Sequence, residues 1–196
     1  MAMLRLIGLS KEGALTFAAL ILIWVLFHRI RKTNLKTSVA YCLISLYLAV
    51  VWMLVGMPDA GYIRLNLSGN LVPFRGMMQD LKNCILNTAL FVPLGFFLPL
   101  FRKPYRRSLK TICFGFGMSV AIEMLQMFTY RATDVNDVIA NTFGTVFGFL
   151  IWKLLAAKRV ELALEEKILP MSFCVTFVVM FFLHPILYRL SWNFFG

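Results

Sequence analysis

The sequence predicts an all-α, polytopic helical membrane protein, on three observations. Hydrophobic residues fill 60% of its 196 positions and charged residues only 15%, against about 25% charged in soluble domains. Nineteen Phe and eleven Met leave too little polar surface to cover a water-facing globule. Six apolar stretches approach the roughly 20 residues that a helix needs to cross a bilayer.

The stretches cover approximately residues 12–28, 38–57, 83–101, 111–130, 138–156 and 168–188; the count is five if the first does not complete a span. That first stretch, GALTFAALILIWVLFH, is followed by Arg29, Arg31, Lys32 and Lys36. Basic residues, where a secretory leader would carry a small-residue cleavage site, make it a signal-anchor helix with its N-terminus outside. Pro93, Gly95 and Pro99 in the third stretch and Pro185 in the sixth predict kinks. Trp24, Trp52, Trp152 and Trp192 fall near stretch ends and are expected to anchor at the membrane interface.

The net charge of +11 has its ordinary explanation in cytoplasmic loops, which collect Lys and Arg. Thirteen basic residues fall on one side, in segments 29–36, 102–110 and 153–167. Seven fall on the other: Arg5, Lys11, Arg64, Arg75, Lys82, Arg131 and Arg189. Both termini are therefore predicted to be extracytoplasmic. No nucleic-acid motif accompanies the charge. Cys42, Cys84, Cys113 and Cys174 are isolated and read as small hydrophobes. The chain reads as one transmembrane domain over 1–196.

Polar residues interrupt the apolar stretches with a pattern. Gly115, Ser119, Glu123, Gln126 and Tyr130 advance by threes and fours, as do Asp134, Asp137, Asn141, Gly144 and Gly148. Each set lies along one helix face, and such a face packs against protein, not lipid. Gly144 and Gly148 form a GxxxG for close helix packing. An ionised acid deep in the bilayer costs about 2.5 to 3.5 kcal/mol. Glu123, about seven residues from the end of its stretch, is placed roughly 10 Å below that end. With Asn83 and Asn87 on the third stretch, the residues Asn87, Glu123, Gln126, Arg131, Asp134, Asp137 and Asn141 are expected to converge at one extracytoplasmic level. A purely structural alternative has Arg131 neutralising an acid while Asp134 or Asp137 caps the fifth helix. The 58–82 segment is a long irregular outer loop that could fold over the helix ends.

Four ordered motifs resemble the VanZ-like family of bacterial membrane proteins: NLVPFR (70–75), NTALFVPLGFFLPL (87–100), EMLQ (123–126) and RATDVNDVIANTFGTVFG (131–148). The resemblance spans roughly residues 66–152, a VanZ-like core, and leaves 158–196 as an additional C-terminal helix and its link. It implies a small helical membrane module associated with lowered susceptibility to teicoplanin and related lipoglycopeptides, without an established catalytic activity. Its polar positions fall here on Asn70, Pro73, Arg75, Asn87, Pro93, Glu123, Gln126, Arg131, Asp134, Asp137 and Asn141.

Three functions compete. The favoured one is a non-enzymatic extracytoplasmic site, with Asn70, Pro73 and Arg75 in the outer loop above the polar cluster. It would engage a lipoglycopeptide, a partner protein or a lipid-linked cell-wall precursor at the outer leaflet, with membrane lipid around it and no cofactor. The second is a membrane-embedded enzyme acting on lipid-linked envelope precursors. Glu123, Asp134 and Asp137 would supply acid or base, and Asp134, Asp137 and Asn141 would hold a hard cation. Transport is the third, weakened by the absence of an internal repeat or a midplane site.

Overall fold

The computed structural model describes residues 2–61, 63–129, 131–155 and 167–195, with side chains described between 13 and 190. The elements run α1 (Ala2–Arg31), α2 (Leu35–Val55), a two-residue β1 (Gly69–Asn70), α3 (Leu81–Phe101) and a 3-10 turn at Lys103–Arg106. They continue with α4 (Ser108–Gln126), a two-residue β2 (Thr133–Asp134), α5 (Val135–Leu155) and α6 (Ile168–Val178). A π-turn at Val179–Leu183 then joins α6 to α7 (His184–Phe195). Six helices among the described residues are long and apolar enough to cross a membrane: Gly13–Arg31, α2, α3, α4, α5 and the α6–α7 rod from Ile168 to Leu190. The six-span count holds, and the first stretch is long and apolar enough to be one of the six.

The chain divides into two compact units, which do not follow chain order. Residues 1–63 and 165–196 form one, and 64–164 form the other. In the first unit, α2 is framed at its start by Asn34, whose side chain accepts from the Lys36 N–H, and at its end by Gly56 in the left-handed conformation. Trp24 is not an interface anchor. It is buried, stacked on Tyr41 at 4.6 Å between ring centroids, and its indole N–H donates to Ser45 Oγ at 3.0 Å. Trp152 of the second unit is buried too, while the side chain of Trp192 lies outside the described residues. Nearness to a span end does not say whether a ring faces lipid or protein.

Pro185 explains the irregularity of the last rod. Lacking an N–H, it cannot bond the carbonyl of Phe181 four residues earlier. The backbone N–H of Ala60 donates to that carbonyl instead, at 2.9 Å. The π-turn falls on the same residues, and His184 Nδ1, beside it, lies 2.9 Å from Thr16 Oγ1. By contrast α3 stays one helical stretch through Pro93 and Pro99.

The second unit is built on close backbone approach. A Cβ at Gly144 would run into the Thr88 carbonyl, one at Gly148 into that of Val92, and one at Gly95 into that of Thr145. Glycine at these three positions lets α3 and α5 meet backbone to backbone, leaving Thr145 buried between Gly95 on α3 and Gly115 on α4. Thr88 Oγ1 donates across to the Ala140 carbonyl at 3.2 Å.

Helix ends differ from the sequence expectation where distant chain takes over local bonds. α4 stops at Gln126, not at 130. The Phe128 and Thr129 N–H groups turn back tightly, while the carbonyls of Met127 and Phe128 accept from Asn66 and Arg64 at 2.7 and 3.0 Å. α5 begins at Val135, not at 138, because Asp134 caps it: Asp134 Oδ1 accepts from the Asn136 N–H at 2.8 Å. Glu123 is consequently three residues from the end of its helix, about 4.5 Å of rise, instead of roughly 10 Å. Tyr130, expected on the same face, lies outside the described residues.

Candidate functional site

The buried face of α4 is Thr111, Gly115, Ser119, Ile122, Glu123 and Gln126, the polar stripe read from the spacing with Thr111 and Ile122 added. Glu123 is only 5% exposed, and its Oε2 accepts from the Asp134 backbone N–H at 2.8 Å. That bond ties α4 to the residue that caps α5. One turn further on, Gln126 is also buried.

Asp137 lies in the first turn of α5, where the side chain of Asn87 on α3 hydrogen-bonds its carboxylate. Asp134 and Asp137 repel each other and Glu123, and Arg131 is near enough to attract both Glu123 and Asp137. Deeper in the unit, Asn141 donates to Ser119 Oγ at 2.8 Å. Its own Oδ1 has no hydrogen-bond partner among the described residues, although Asn141 is 2% exposed. Asn87, Glu123, Arg131, Asp134 and Asp137 are thus brought to one end of α3, α4 and α5, with Asn141 and Ser119 beneath.

The loop before α3 is pinned above this end. Gly69 and Asn70 pair in parallel with Thr133 and Asp134. Asn70 Nδ2 donates both to Asp134 Oδ1 and to the Arg75 carbonyl, each at 3.1 Å. Arg75 contributes that carbonyl, while its side chain is exposed; Pro73 is exposed as well.

Asn136 is the residue that sequence reasoning missed. It is 3% exposed; its Oδ1 accepts from the Phe74 N–H at 2.7 Å and its Nδ2 donates to the Arg75 carbonyl at 2.8 Å. Asn136 lies off the stripe of threes and fours. The signal available was the Asp-x-Asn spacing at a helix start, which sets an Asx turn.

Asp134 has two roles that a pair of substitutions separates. Asp134→Ala removes the cap acceptor and is expected to lower stability by about 1 kcal/mol. Asp134→Asn keeps an acceptor and should retain most of it. The comparison is read from denaturant midpoints of the purified protein in detergent.

Asp134 accepts from Asn70, Asp137 bonds Asn87, and Asn141 donates to Ser119 with its Oδ1 left over; among the described residues no group of three or more His, Cys, Asp or Glu is placed to share an ion. All four cysteines are free.

Fold and polar end together define a multi-pass membrane protein carrying a cluster of ionisable residues at one end of a three-helix unit. A family model described as VanZ/LLP1 matches residues 15–156. The chain belongs to this family, and the match takes in α1 from residue 15 onward and all of α2 as well as residues 66–152. It is also similar to "Protein VanZ" of Enterococcus faecium, 29% identical over 118 residues that cover 57% of this chain and 72% of the relative. No solved structure matches.

Proposed function

We propose that this protein lowers susceptibility to teicoplanin-type lipoglycopeptides by a non-enzymatic route, through the polar end of α3–α5 facing the outer leaflet of a bacterial cell membrane. The observation that carries the reading is the charge balance of that end. Glu123, Asp134 and Asp137 stand within electrostatic reach of one another with Arg131 as the basic residue acting on them. Acids held in or beside a bilayer are costly and mark sites by default. A formal excess of two negative charges suits an amine-bearing ligand, and Asn141 Oδ1 offers a further acceptor. Family membership supports the antibiotic reading.

The test is susceptibility to teicoplanin and vancomycin in a deletion strain complemented with wild type, Glu123→Gln or Asp137→Asn at matched membrane levels. Only wild type is expected to restore teicoplanin tolerance, with the vancomycin response flat. Equal behaviour of all three constructs would overturn the assignment.

A further inference from the structure

The segment before α3 carries a second feature, independent of the ligand reading above. Leu67, Leu71, Val72, Phe74 and Met78 are 52–77% exposed, and none of them belongs to a helix that spans. Loops of this kind are ordinarily polar when they face water. Here apolar side chains dominate the tip, and Arg64, Arg75 and Lys82 are exposed around it, with Asp80 the exposed acid of the same segment and Asp134 half-buried beneath, held by Asn70.

Much of the tip's backbone is paired within the protein. The Val72 N–H donates to Asn70 Oδ1 and that of Phe74 to Asn136 Oδ1. The N–H of Arg75 goes to the Val72 carbonyl, that of Met77 to the Phe74 carbonyl, and those of Gln79 and Asp80 to the Gly76 carbonyl. Pro73 has no N–H to satisfy. Pairing the backbone internally is what a low-dielectric surrounding demands and what water does not. Phe74 is held at a φ of 64°, a conformation that bulky residues rarely adopt, and the ring it carries is left outside the protein.

The anchorage sets the depth. Asn70 and Asn136 fasten the tip to the start of α5, and Asp80 leads directly into α3. The tip therefore sits at the level where two spans leave the hydrocarbon. Apolar side chains with a basic fringe at that level match the composition of elements that lie in the headgroup layer.

We propose that residues 67–78 form an interfacial membrane finger, with Leu71, Phe74 and Met78 among the upper acyl chains and Arg64 and Arg75 at the phosphates of anionic lipid. The experiment uses the full chain, with Cys42, Cys84, Cys113 and Cys174 replaced by Ala, carrying Leu71→Cys or Met78→Cys labelled with an environment-sensitive fluorophore. It is reconstituted in phosphatidylcholine–phosphatidylglycerol vesicles. Both sites are expected to show blue-shifted emission, loss of most of that emission to lipids spin-labelled near the headgroup, and little quenching by aqueous iodide. Adding Phe74→Asn, which tolerates the left-handed backbone, should move the Leu71 label toward water-like emission. Water-like emission with strong iodide quenching at both sites overturns the proposal. So does a blue shift without quenching by spin-labelled lipid, which would mean that protein covers the finger.

Discussion

Gly148→Val is expected to disrupt the α3–α5 pair, at a cost of about 3 kcal/mol. The cause is geometric. A side chain at Gly148 meets the Val92 carbonyl and the Phe96 backbone nitrogen, and backbone inside a helix has no rotamer with which to yield. The two helices must move apart, and the Thr88–Ala140 hydrogen bond and the burial of Thr145 depend on the same approach. Gly117 supplies the opposite sign. Nothing lies near its would-be Cβ, so Gly117→Ala should stabilise by about 0.5–1 kcal/mol through helix propensity. Denaturant unfolding of the purified protein in detergent measures both. Equal midpoints for the two variants would refute the close-approach account.

Asn136→Ala is expected to release the loop tip without unfolding the helices. Two hydrogen bonds vanish together, leaving the Phe74 N–H without its acceptor and the Arg75 carbonyl with Asn70 alone among its described partners. At about 1 kcal/mol for each bond, the loss is about 2 kcal/mol of local order. Opening should rise roughly tenfold or more. Arg75 is itself a reporter, since trypsin cleaves after exposed arginine once the backbone extends. Cleavage at Arg75 in detergent-solubilised protein should accelerate accordingly in Asn136→Ala. Asn83→Ala, whose amide bonds only the exposed Asp80 among described partners, should leave the rate near that of wild type.

Much of this architecture was legible because the bilayer leaves few alternatives. A helix of about 20 apolar residues is one of the few ways to satisfy backbone polar groups in lipid, so the six spans are visible as composition. The inward faces of α4 and α5 were legible as spacing, since small and polar residues recurring at threes and fours must share one side. Helix ends were not. α4 stops at Gln126 because carbonyls beyond it accept from Asn66 and Arg64, some sixty residues earlier in the chain, and no local pattern announces that. Asn136 escaped because it acts on the loop backbone, not along the helix stripe. The grouping of α1 and α2 with the C-terminal rod was equally hidden, since the 165–196 segment joins that unit across the whole intervening core.

The parallel pairing of Gly69–Asn70 with Thr133–Asp134 bears on biosynthesis. Its partners are separated by α3 and α4, so the pairing cannot form until both of those helices have been synthesised and threaded into the membrane. Until then Asn70 has no Asp134, Phe74 has no Asn136, and the loop is an open chain. The polar end thus closes only after α3 and α4 have been made, and its closure depends on both being in place. A nascent chain stalled before residue 134 would present a loose, protease-sensitive loop, a signal that membrane quality control could read before the protein is released.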